Sequence, residues 1–197
     1  MRALAIMAVL AAVSTPLQAQ RGLHEVRNER SGFWASGGLA AGSSALTCNG
    51  CPDTRASGPS IYVRFGGTLT RQLLLGVELA GWGITDQGVE QTLGAGAVDL
   101  FWYPGAGAFY MKVGIGGMTY DRDNPNLGVS TTTRETGGVG TFGAGYDFRI
   151  ARSASIVPFV NFFVASHLTR SVDGTQVITN GDVLRDLLQI GVGITLH

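Results

Sequence analysis

The sequence predicts an all-β protein, an eight-stranded antiparallel up-and-down transmembrane β-barrel preceded by a cleavable signal peptide. Three observations predict it. The 197-residue chain holds 30 Gly and only 14 Lys and Arg against 14 Asp and Glu, about twice the usual glycine and little more than half the usual charge of a soluble protein. Beyond residue 20 no apolar run is long enough for a membrane helix, which takes about 20 residues. In its place, apolar residues alternate with small or polar ones in one segment after another. The zero formal net charge leaves no basic footprint for nucleic acid.

The N-terminus comes first. Met1-Arg2 supplies a positive charge, Ala3 to Val13 is apolar, and Thr15-Pro16-Leu17-Gln18-Ala19 ends in a small residue suited to cleavage. Residues 1–19 therefore read as a secretory signal peptide, with residues 20–31 a short periplasmic segment and 32–197 the barrel. An uncleaved anchor helix would need a longer apolar run.

Strands are expected at about 32–42, 60–69, 73–85, 92–103, 108–120, 137–150 and 154–169, followed by the C-terminal segment. The last is the clearest: Leu188, Ile190, Val192, Ile194 and Leu196 share one face, and Gln189, Gly191, Gly193 and Thr195 the other. In the second strand Ile61, Val63, Phe65 and Leu69 oppose Ser60, Tyr62, Arg64, Gly66 and Thr68; in the third Leu73, Leu75, Val77 and Leu79 oppose Leu74, Gly76, Glu78 and Ala80. Eight strands of at least 9–11 residues suit a closed membrane barrel.

The connections read as long (43–59, 121–135, 170–182) or intermediate (86–91) in strict alternation with tight ones (70–72, 104–107, 151–153). Membrane barrels have short periplasmic turns and longer outer loops, so both chain ends are expected on the periplasmic side. Phe33, Trp34, Phe101, Trp102, Tyr103, Phe109, Tyr110, Tyr146 and Phe148 cluster near the tight turns and are expected to form an aromatic girdle at headgroup level.

Six charges within strands fall on the polar face: Arg64, Glu78, Asp99, Lys112, Asp147 and Arg149. An eight-stranded barrel is just wide enough to be filled by side chains, so enclosed charges need partners. Residues 64 and 78 are equidistant from Arg71, and 99 and 112 from the middle of Pro104 to Gly107, which predicts Arg64 with Glu78 and Lys112 with Asp99 as directly opposed pairs. A water-soluble lipocalin-like barrel has the same alternation turned inside out, with these charges in solvent.

Val139-Gly140-Thr141-Phe142-Gly143-Ala144-Gly145-Tyr146-Asp147, Ile156-Val157-Pro158-Phe159-Val160 and the alternating C-terminal strand make the chain resemble the small outer-membrane β-barrel proteins, the group similar to the OmpA transmembrane domain, OmpX and the opacity proteins. The resemblance implies residence in the cell outer membrane of a Gram-negative envelope, contact with its lipid and lipopolysaccharide, insertion by the barrel assembly machinery, and a monomer. Such proteins usually end in an aromatic residue; here Leu196 holds that phase and His197 follows.

Signals for catalysis are thin. Gly138-Val139-Gly140-Thr141-Phe142-Gly143 matches a dinucleotide-binding pattern but lies inside a strand with no helix after it. His24 and His197 have no metal-ligand partner at useful spacing. His167 and Thr169 share a strand face near the rim, similar to the His and Ser of outer-membrane lipid A deacylases, with Thr in the Ser position. Cys48-Asn49-Gly50-Cys51 suits a disulfide stapling the first outer loop; a redox site or half of a zinc site are the other readings of that spacing. The chain is expected to be non-enzymatic, without cofactor, metal or nucleic acid, and to act structurally or through its outer loops on an extracellular ligand or surface. A narrow pore is the alternative.

Overall fold

The computed structural model describes residues 30–47, 55–124, 131–172, 175–177 and 184–197. Eight long strands carry the fold: β1 (Phe33–Thr47), β2 (Arg55–Thr70), β3 (Leu73–Asp86), β4 (Val89–Trp102), β5 (Phe109–Asn124), β6 (Thr131–Tyr146), β8 (Ala154–Val172) and β10 (Leu184–Leu196). Two short ones complete them: β7 (Phe148–Ala151) continues β6 past a break at Asp147 and pairs with β8, and β9 (Thr175–Val177) folds back on the other end of β8. Each long strand is antiparallel to its neighbours, and β10 closes the sheet by pairing with both β8 and β1. Closure leaves no long edge unpaired.

Which face meets the interior decides between a membrane barrel and a soluble one. Ile190, Val192 and Ile194 are 60%, 53% and 54% exposed, whereas Arg64 and Glu78 are 2% and 0% exposed. Leu39, Ile61, Val63, Leu79, Val98, Val113, Ile115 and Phe142 likewise point outward. An apolar belt around a closed cylinder is far larger than the apolar patches tolerated in water and is matched by acyl chains. The lipocalin-like alternative requires the opposite phase.

Several strands run further than apolar alternation suggests. β1 reaches Thr47, β2 starts at Arg55, β5 reaches Asn124 and β6 starts at Thr131. The ladder needs backbone groups only, so polar residues such as Asp121, Arg122 and Thr132 continue it beyond the oily belt. The expected connection 86–91 shrinks to Gln87-Gly88, with φ of 49° and 81°. That is the two-residue hairpin geometry whose twist suits antiparallel strands, and it interrupts the expected alternation of long and tight connections.

The aromatic residues divide between faces. Phe33, Trp102, Phe109, Tyr146 and Phe148 are exposed near the tight turns, but Trp34, Phe101, Tyr103 and Tyr110 are buried inside the barrel. Adjacent residues of a strand point opposite ways, so the expected single girdle is half girdle and half core. Inward glycines make room for these rings: a Cβ at Gly76 would lie 2.6 Å from the Trp34 ring, and one at Gly145 only 2.5 Å from that of Tyr110.

The interior is layered. Beside the tight turns, Trp34, Leu74, Phe101, Tyr103, Tyr110 and Val157 form an aromatic layer. Above it lies a band of charges, and above that an apolar layer of Trp82, Leu93, Met118, Phe163, Leu168 and Leu187. The inward face of the sequence thus alternates between apolar and polar levels along the barrel axis rather than being polar throughout.

Candidate functional site

The charged band is built by inward positions of successive strands. Arg64 of β2 lies directly across from Glu78 of β3, and its Nη2 donates to Glu78 Oε1 at 3.1 Å. Arg64 Nη1 donates to Tyr110 Oη at 3.1 Å, and the guanidinium stands 4.1 Å from the centre of the Tyr62 ring, where the face of the ring attracts a cation. Lys112 of β5 donates to the other oxygen of Glu78 and, at 3.2 Å, to Asp99 Oδ2. Thr141 donates to Asp99 Oδ1. Asn161 Nδ2 donates to Glu78 Oε1 and Gln189 Oε1, both at 3.2 Å, and Gln189 Nε2 donates to Ser60 Oγ at 2.5 Å. Two cations and two carboxylates therefore balance inside one hydrogen-bonded cluster, as enclosed charges require.

Lys112 and Asp99 meet diagonally rather than face to face. Asp99 is opposite Gly114 and Lys112 opposite Phe101, because the connection after β4 includes a 3₁₀ turn at Pro104–Ala106 with positive φ at Gly105 and Ala106. The turn moves the centre of reflection from the middle of Pro104 to Gly107 onto the Ala106-Gly107 bond, and the register slides by two residues. The long lysine side chain spans the diagonal.

Asp147 and Arg149 stand apart from this cluster. Asp147 lies at the turn end, where Arg30 Nη2 donates to its Oδ2 at 3.1 Å. Arg30 also donates to Gly107 O at 2.9 Å and stacks 3.6 Å from the centre of the Tyr103 ring, closing the barrel mouth from a residue that precedes β1. Arg149 is a correction to the expected interior network: half-buried beside the 152–153 turn, it donates to Arg152 O at 3.1 Å. Its strand is only four residues long and pairs irregularly, so the guanidinium reaches the rim instead of the core.

His197 also approaches Asp147, its Nε2 3.9 Å from Oδ2. Burial pushes the imidazole pKa down, and this outweighs the upward pull of Asp147. The folded state thus favours neutral His197. That contribution to stability is present above the unfolded histidine pKa of about 6.5 and is lost as pH falls through the folded value. An NMR titration is expected to place the His197 midpoint below that reference; a midpoint above it contradicts the burial argument.

At the opposite end a second ionic group appears. Glu135 accepts from Arg170 Nε at 3.0 Å and from Arg185 Nε and Nη2 at 2.9 and 2.8 Å. Arg185 lies 3.5 Å from the centre of the Tyr120 ring. Glu135 fell within an expected loop, so nothing in the apolar alternation marked it.

The other sequence candidates do not come together as sites. Cys48 and Cys51 lie outside the described residues, as does the side chain of His167. Thr169 is exposed and pairs through its backbone with Thr136, beside a register shift between Thr136 and Gly138. Asp121 accepts from Arg134 Nε at 2.6 Å. Among the described residues no group of three or more His, Cys, Asp or Glu could hold a metal ion.

No protein-family model matches the sequence, nor does any curated protein. Solved structures do match the fold. Ail, the attachment invasion locus protein of Yersinia pestis, is similar at 9% identity with a TM-score of 0.60, over 84% of this chain and 99% of that one. Neisserial surface protein A is similar at 11% identity and a TM-score of 0.55, over 84% and 97%. The outer-membrane protein AlkL is similar at 13% identity and a TM-score of 0.51, over 84% and 90%. A closed eight-stranded sheet with an oily exterior, the ion-bridged interior and this shared architecture together make the chain a small β-barrel of the outer-membrane type.

Proposed function

We propose that the protein is a sealed barrel of the outer membrane, a structural and surface-interaction element that presents its loop end to the exterior and conducts nothing through its core. The observation that carries this reading is the cluster centred on Glu78. Its hydrogen bonds link side chains from β2, β3, β4, β5, β6, β8 and β10, with an apolar layer on one side and an aromatic layer on the other. An ion crossing this interior would have to break paired charges in a low-dielectric enclosure.

On this reading residues 1–19 direct export and are removed, the barrel assembly machinery inserts the chain, and the monomer sits among lipid and lipopolysaccharide. Its role is envelope integrity, adhesion or recognition of an extracellular ligand. Planar-bilayer recording tests it: the purified, folded barrel is expected to give no steady conductance level. A stable open level that persists in a variant with shortened loops overturns the sealed reading in favour of a narrow pore.

A further inference from the structure

At the loop end the barrel widens into a cavity of about 680 Å³ that the ionic cluster does not fill. Its size lies within the range of small-molecule sites, roughly 300–1,000 Å³. Its chemistry is asymmetric. Arg55, Arg122, Arg170 and Arg185 line it, against the carboxylates Asp86 and Glu135.

These arginines are differently occupied. Arg55 is engaged by Asp186 at 2.7 Å, a carboxylate on the outward face of β10. Among the described residues, Arg170 and Arg185 share the single carboxylate of Glu135, two cations on one anion. Arg122 is exposed on the wall beside them, near enough to Tyr120 to act on its hydroxyl electrostatically. Glu135 is 2% exposed and fixed by both partners, so the guanidiniums it holds are positioned before any ligand arrives. Preorganised guanidinium is suited to planar or tetrahedral oxyanions, which it can bind through two parallel hydrogen bonds. Below, Trp82 and the apolar layer close the floor, so a bound molecule stays at the mouth.

We propose that this vestibule is a binding site for a compact oxyanion group, a sulfate or phosphate ester, held by Arg122 together with the Glu135-fixed pair Arg170 and Arg185. The proposal deepens the surface-interaction reading and rests on it. The shared chemistry has two sources, a sulfated glycan approaching from outside and a phosphorylated sugar of the surrounding lipopolysaccharide.

Calorimetric titration of the full, detergent-folded protein distinguishes them, with a sulfated disaccharide, glucosamine 1-phosphate and an unmodified disaccharide as probes. Saturable binding of at least one charged probe and not of the neutral one is expected. Preference for the sulfated probe assigns an outside glycan, and preference for the phosphorylated one assigns the membrane's own sugar. Arg122→Gln is expected to weaken that binding about tenfold, with a further loss on raising salt. Arg71→Gln, at the far end of the barrel, is expected to leave it unchanged. Retained heat-modifiability on gels shows that each variant is folded. Absence of saturable binding to the unaltered protein, or equal weakening by the two substitutions, overturns the proposal. Neither outcome bears on conductance, so failure here is separable from failure of the sealed-barrel reading.

Discussion

Glu78→Ala is expected to destabilise the barrel by about 3 kcal/mol or more, the cost of leaving a buried cation without its counter-charge. Glu78 is the hub of the interior: Arg64 and Asn161 bond one oxygen, and Lys112 bonds the other. Removing it leaves two cations facing only Asp99 within an enclosure that water enters poorly. The companion variant Arg64→Met/Glu78→Leu removes a cation and a carboxylate together and replaces them with apolar volume. Such replacements are often close to neutral, so the double variant is expected to be more stable than Glu78→Ala. Urea unfolding from lipid vesicles, followed by tryptophan fluorescence, measures both. A loss below about 1.5 kcal/mol for Glu78→Ala, half the expected penalty, contradicts the enclosed pairing.

How much of this cluster is legible in the sequence follows from what sets strand register. A tight turn with regular strands on both sides reflects one strand onto the next, so positions 64 and 78 oppose each other about Arg71. The irregularity near Thr70 lies on the turn side of both and leaves them in place. The same reflection about Pro104 to Gly107 fails by two residues, because positive φ at Gly105 and Ala106 gives a turn whose centre lies further along. Ala106 carries a Cβ and does not advertise positive φ in the way glycine does. Inward and outward phase was legible wherever lipid demands apolar residues; strand ends were not, because Asp121 and Thr132 pair through their backbones without any apolar signal. Arg30 was illegible for a different reason. Its partners, the Ala106 and Gly107 carbonyls, Tyr103 and Asp147, are distant in sequence, and no local periodicity ties them to it.

Val113→Arg tests the other half of the architecture, the direction in which the oily residues look. Val113 is 60% exposed on the outer surface of β5, lies between Met111 and Ile115 on the same face, and stands across from Leu100 and Phe142. If that surface meets acyl chains, an arginine near mid-belt costs about 2–4 kcal/mol, falling to about 0–1 kcal/mol near the interface. Leu69→Arg supplies the interface control: Leu69 is comparably exposed at 58% but lies beside the tight turn after β2, where its guanidinium can reach the headgroups. Unfolding from vesicles is therefore expected to show a large loss for Val113→Arg and a small one for Leu69→Arg. Equal, small effects are the signature of a surface in water, where either arginine is hydrated wherever it stands. The difference between the two positions reports depth in a bilayer, and it does so independently of whether Glu78 holds the interior together.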